Sequence, residues 1–91
     1  GMTLDAEGNI YATAGRGAEA GVYVFSAHGA PLAFIATPGD PTNCTFGVGE
    51  GDSTLYITAA TTQPETTGTR PPYGIFRIRL KRPGYRLFPK N

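Results

Sequence analysis

The sequence predicts an all-β chain made of two four-stranded antiparallel units. Three observations carry this. Short runs rich in Val, Ile, Tyr, Phe and Thr recur along the whole length. Each is bounded by the Gly, Pro, Asp or Asn that tight turns require. No segment sustains an apolar stripe at helical spacing. The 13 glycines and 8 prolines follow no fixed period, which reads as many turns rather than a fibrous repeat, and 40% hydrophobic with 16% charged residues excludes disorder by composition.

In chain order, Met2 to Leu4 reads as the end of a buried β-segment and Asp5 to Asn9 as a turn. "IYATA" (10–14), "GVYVFS" (21–26) and "LAFIAT" (32–37) complete the first unit, about 1–37. "NCTFGV" (43–48), "TLYITAA" (54–60) and "YGIFRIRL" (73–80) follow. An eighth strand is expected after the "KRPGY" turn, closing a second unit of about 42–88 within a single domain, 1–91.

The first unit repeats in the second. "TLDAEGNIYATA" aligns with "TFGVGEGDSTLYITAA", so that Tyr11 meets Tyr56 and Thr13 meets Thr58, and "GVYVF" aligns with "GIFRI". A repeat of roughly 40–50 residues holding four short strands is the signature of a β-propeller blade. A small β-sandwich is the alternative, but it needs no internal repeat. Alternation favours blades: Val22 and Val24 point one way, Tyr23 and Phe25 the other, and neither set is polar. In "IFRIRL", Phe76, Ile78 and Leu80 share one face, while Arg77 and Arg79 share the other with Ile75, so one side of the second unit is expected to be wet.

Several function classes are excluded or unsupported. A net charge of +1 leaves no electrostatic footprint for nucleic acid or an anionic membrane. The basic cluster Arg77, Arg79, Lys81, Arg82, Arg86 and Lys90 reads as a solvated face. Cys44 stands alone, so no internal disulfide forms. No apolar run approaches membrane-spanning length.

"GMTLDAEGNIYATAG", "GVYVFSAHGAPLAFI" and "PTNCTFGVGEGDSTLYITA" together resemble the C-terminal part of the gluconolactonase and senescence-marker-protein (regucalcin) family, over residues 1 to about 80. The resemblance implies a six-bladed propeller with a divalent metal, often calcium, on its axis, and hydrolysis of sugar lactones. It places metal ligands at a Glu and an Asn in other blades and at an Asp directly before the Gly-Met pair. That Asp would precede Gly1, so no metal ligand is assigned in this chain. Gly1-Met2 reads either as the interior of a larger protein or as a tag remnant before an encoded start. Asp5 reads as a turn residue accepting backbone N–H bonds.

In a blade, "GRGAEAG" (15–21), "TPGDPT" (37–42) and "TTQPETTGTRPPY" (61–73) share one rim. The third, with Pro64, Pro71 and Pro72, reads as a semi-rigid lid or as a loose insertion. Thr42 and Asn43 open the second inner strand there. Asn43 suits a hydrogen bond to a sugar hydroxyl or lactone carbonyl, and equally a cap on local backbone. Arg16 and Arg70 lie in rim loops within reach of a carboxylate or oxyanion, or as solvated charges. Cys44 is expected buried, with the one histidine, His28, on the opposite rim, so no catalytic residue is assigned. The expectation is a portion of a metal-dependent lactonase that is inactive alone, with the alternative of a non-catalytic, self-assembling β-module. Two bare blade faces, carrying Tyr11, Tyr23, Phe25, Leu55, Tyr56, Phe76 and Ile78, predict self-association as a dimer or, alternatively, a closed trimer.

Overall fold

A computed structural model describes residues 1–60 and 73–85. Seven strands form two antiparallel sheets. The first takes the order β1-β2-β3-β4, with β1 Met2–Leu4, β2 Ile10–Ala14, β3 Gly21–Phe25 and β4 Pro31–Ala36. The second takes the order β5-β6-β7, with β5 Pro41–Phe46, β6 Thr54–Ala60 and β7 Tyr73–Arg79. Helical structure among the described residues is confined to two three-residue 3₁₀ turns, Gly17–Glu19 and Gly49–Gly51. The all-β reading and the strand positions therefore hold.

Register decides which side chains meet, because a strand presents alternate residues to opposite faces. Tyr11 pairs with Val24, and Thr13 with Val22 and thence Ile35, so these share one face of the first sheet. In the second sheet Cys44 pairs with Ile57 and thence Phe76, and Phe46 with Leu55 and thence Ile78. The two faces close on one another: Tyr11, Val22, Val24, Cys44, Leu55 and Ile57 form one buried cluster, with Ile35, Phe46, Ile78 and Leu80 packed at its margin. Tyr11 and Phe46 meet edge to face across the sheets, with ring centroids 5.2 Å apart. That geometry suits the positive ring edge and negative ring face of aromatic pairs.

Two expectations change here. Tyr11 and Leu55 do not lie on bare faces; they are core residues, at 5% and 0% exposure. In β2 the inner side carries Tyr11 and Thr13 and the outer side Ile10 and Ala12, so polarity pointed the wrong way. In β6 Leu55 and Ile57 alternate with Thr54, Tyr56 and Thr58, and polarity did mark the inner side. The outer face of the first sheet instead bares Met2, Leu4, Leu32 and Phe34, beside a half-buried Tyr23 whose ring leans on Phe34 at 4.9 Å. On the outer face of the second sheet Ile75, Arg77 and Arg79 are exposed, as their alternation predicted.

The second change concerns the chain after β7. Among the described residues the second sheet has three strands, and Pro83 to Tyr85 turn back to β1. The Ala6 N–H donates to the Pro83 carbonyl (2.8 Å) and the Tyr85 N–H to the Leu4 carbonyl (3.0 Å). Gly84 is buried against Phe46, where any Cβ would collide with the ring and its stem. Its N–H donates to the Asp52 carbonyl (2.8 Å), tying the return segment to the β5–β6 turn. An exposed Arg82–Glu7 ion pair lies alongside. Residues 86–88, where the eighth strand was expected to end, lie outside the described residues.

Candidate functional site

Asp5 is the one fully buried charged residue among those described, and its surroundings show a structural post. One carboxylate oxygen accepts the N–H groups of Glu7 (2.9 Å) and Asn9 (3.0 Å); the other accepts the Asn9 side-chain amide and the Tyr11 hydroxyl, both at 2.9 Å. Burial pushes its pKa up, but the hydrogen bonds from Asn9, Tyr11 and Glu7 outweigh it, and the net direction is down. Tyr11 answers in the opposite sense: burial, then its bond to the Asp5 carboxylate, pushes its hydroxyl up to about 12. With every oxygen engaged in holding the turn, Asp5 is the turn residue that "DAEGN" announced.

The other end of the inner strands is polar and open. Pairing between β5 and β6 slips between Pro41 and Asn43, which makes Thr42 the extra residue of a bulge. The Thr42 hydroxyl thereby reaches the Thr58 hydroxyl at 2.8 Å and the Thr58 carbonyl at 3.2 Å. Thr58 Oγ1 also lies 3.4 Å from the Asn43 carbonyl. At the start of the first sheet, the Thr13 hydroxyl donates to the Gly1 carbonyl at 3.0 Å. Gly1, just before β1, comes so close to β5 that a Cβ there would displace the Asn43 carboxamide. Thr42, Asn43 and Thr58 therefore form one linked polar set at this end, with Thr13 on the adjoining sheet as a fourth polar residue.

The sequence-predicted residues divide accordingly. Thr42 and Asn43 stand in this set. Asn43 Oδ1 accepts the Cys44 N–H at 2.9 Å, and its exposed amide nitrogen donates to no described residue. Arg16 opens the Gly17–Glu19 turn with its guanidinium exposed and bonded to nothing described. Its loop meets the β4–β5 connection through the Gly17 N–H, which donates to Asp40 Oδ1 at 3.0 Å. The Ala60 N–H donates to the Asp40 carbonyl at 3.0 Å, bringing the end of β6 to the same place. Arg70 and the 61–72 stretch lie outside the described residues. Thr13 and Thr58 were not singled out as site residues, yet the repeat alignment had already set them at equivalent positions of the two units. Cys44 is buried, its thiol pushed up by burial, and lies 3.6 Å from the Tyr11 carbonyl.

A groove of about 350 Å³ opens beside this set, lined by Asn43, Thr45, Tyr56, Thr58 and Ile75 with the edge of Cys44. A larger one of about 440 Å³, by Phe46, Val48 and Tyr85, lies toward the opposite end and holds none of the four polar residues. The smaller groove presents an almost wholly apolar wall, although Asn43 and Thr58 are among its lining residues. It does not fit a metal centre by itself. Among the described residues no three of His, Cys, Asp or Glu converge. The oxygens gathered here are neutral, whereas calcium takes six to eight oxygens that include carboxylates.

Two packed antiparallel sheets with neutral hydrogen-bonding groups at one end define an all-β scaffold. The family described as SMP-30/Gluconolactonase/LRE-like region matches residues 1–61, and the chain belongs to this family. It is also similar to the gluconolactonase of Zymomonas mobilis subsp. mobilis, at 40% identity over 62 residues. That match covers 66% of this chain and 16% of the relative, so the chain corresponds to a small part of that protein's length. No solved structure matches. No helix among the described residues is long and apolar enough to cross a membrane.

Proposed function

We propose that this chain is a portion of a gluconolactonase-like, metal-dependent sugar-lactone hydrolase, its two sheets being adjoining blades of a six-bladed β-propeller. The supporting observation is that the family match, residues 1–61, takes in both strands that meet at the polar end, β1 and β5. In this reading the Asn43 amide nitrogen donates to a lactone carbonyl or ring hydroxyl. The Thr42 and Thr58 hydroxyls, already ordered by their mutual bond, fix the orientation of neighbouring sugar hydroxyls. A divalent metal such as calcium would supply carbonyl polarisation or an activated water. The residues of this chain position substrate and do not build the metal cage, so the isolated chain does not turn over lactone.

A chimera tests this. Residues 1–61 replace the aligned segment of the Zymomonas gluconolactonase, and glucono-δ-lactone hydrolysis is followed. The chimera is expected to retain activity and to lose about tenfold or more in kcat/KM on Asn43→Ala, the scale of one lost substrate hydrogen bond. A folded, inactive chimera, or one indifferent to Asn43→Ala, contradicts the reading. The alternative, a non-catalytic self-assembling β-module, draws support from the bared Met2, Leu32 and Phe34, and gains if the chimera folds without activity.

A further inference from the structure

We propose that the two outward faces of this chain dock on one another between copies: the outer face of the first sheet of one copy lies on the outer face of the second sheet of the next.

The repeat and the ladders together match each face of one sheet to a face of the other. Leu4 aligns with Phe46, Ile10 to Thr13 with Leu55 to Thr58, and Gly21 to Phe25 with Gly74 to Ile78. Pairing preserves that equivalence. Leu4 pairs with Ile10 and thence Phe25, as Phe46 pairs with Leu55 and thence Ile78. Met2 pairs with Ala12, as Cys44 pairs with Ile57.

Equivalent faces do not point the same way. Cys44, Phe46, Leu55, Ile57 and Ile78 are the second sheet's side of the core. Their counterparts in the first sheet are Met2, Leu4, Ile10, Ala12 and Phe25, apolar without exception, and these lie on its outer face. Conversely Tyr11, Val22 and Val24, the first sheet's side of the core, correspond to Tyr56, Ile75 and Arg77 on the outer face of the second. The contact inside the chain is therefore head to tail. It joins one kind of face to the other and leaves one of each kind uncovered.

The occupant is a second copy because the uncovered pair continues an interface the chain already makes. Met2 is 69% exposed where Cys44 is 6%, and Ile75 is 75% exposed where Val22 is 0%. Among the positions compared, Arg77 in the place of Val24 is the one polar departure. An arginine can lay its aliphatic stem on an apolar face and keep its head in water at the margin. A two-fold contact of the second-sheet face with itself is disfavoured, since it would gather Arg77 and Arg79 of both copies. A head-to-tail contact closes into a ring only when its rotation divides a full turn. With the sheets as two blades of six, the reading on which this count rests, three copies close the ring.

Sedimentation of the 91-residue chain from low to high micromolar concentration tests this, with Met2→Lys, Ile75→Lys and an equimolar mixture of the two. Wild type is expected to form a closed trimer. Each variant places a lysine within one face, and alone is expected to associate about a hundredfold more weakly. The mixture is expected to form a one-to-one dimer. Met2→Lys keeps the second-sheet face intact and Ile75→Lys the first-sheet face, and once these meet no intact face remains. A wild-type monomer, two-fold dimer or open polymer overturns the proposal. So does a variant that assembles like wild type, or a mixture that stays monomeric. Both substituted positions are exposed within one copy; should a variant misfold, the wild-type mass decides. In the gluconolactonase chimera the relative supplies the neighbours of residues 1–61, so failure here leaves the lactonase reading standing.

Discussion

The two sheets are built from a repeated sequence, yet they are held differently. The first is pinned at its turn: Asp5 takes hydrogen bonds from Glu7, Asn9 and Tyr11, and β1 gains a further partner from Pro83 to Tyr85. At the equivalent turn of the second sheet, Val48 to Ser53, a 3₁₀ turn and its backbone bonds do the closing. Apolar burial is shared, with Tyr11, Val22 and Val24 of the first sheet meeting Cys44, Leu55 and Ile57 of the second. A repeat therefore keeps the strand pattern and the shared core while the holding of the turn diverges, by a buried carboxylate in one unit and by backbone bonds in the other.

This comparison is open to direct challenge, and the largest effect is expected in the second sheet. Leu55→Ala removes a wholly buried side chain facing Tyr11 and Val22, and should cost about 3 kcal/mol in denaturant unfolding. A loss under about 1 kcal/mol would mean that the inter-sheet core does not carry the fold. Next comes the anchor: Asp5→Ala leaves the Tyr11 hydroxyl and two N–H groups without their acceptor, and about 2 kcal/mol of destabilisation is expected. Tyr11→Phe, which keeps the ring against Phe46 and deletes one bond, should cost about 1 kcal/mol.

The same pair sets the pH dependence. The Asp5 carboxyl is depressed in the fold, so its contribution is present above the unfolded value near 3.9 and is lost as pH falls through its lower folded value. The Tyr11 hydroxyl is raised, so its contribution is full below about 10 and is lost as pH climbs through about 12. Tyr11→Phe should flatten the alkaline limb of a stability–pH curve; an unchanged limb would disconnect Tyr11 from Asp5. The smallest effect is expected at the exposed Arg82–Glu7 pair, where Arg82→Ala should leave the melting temperature within error.

Local chemistry explains what was legible in the sequence. "DAEGN" announces an Asp-anchored turn because its ligands lie two to six residues away, and the alignment of Thr13 with Thr58 anticipates two hydroxyls at one end of the sheets. The facing of Tyr11 was not legible, since β2 turns Tyr11 and Thr13 inward and the apolar Ile10 and Ala12 outward, against its polarity. That of Leu55 was present in the alternation of Leu55 and Ile57 with Thr54, Tyr56 and Thr58. The return of Pro83 to Tyr85 was equally hidden. Gly84 suits a hairpin turn as well as a close approach to Phe46, and only the fold brings residues so distant in sequence together. The Thr42 bulge escaped notice for a related reason: it shows only in the register between two strands, and the site owes its geometry to it.

The central claim is that these residues supply a substrate-positioning wall without a cation cage, and assay of the purified 91-residue chain tests it most directly. Glucono-δ-lactone hydrolysis is measured with chelator and with added calcium, against the spontaneous rate. Rates indistinguishable from background in both conditions are predicted. Calcium-dependent turnover by the chain alone, abolished by Asn43→Ala, would contradict the account.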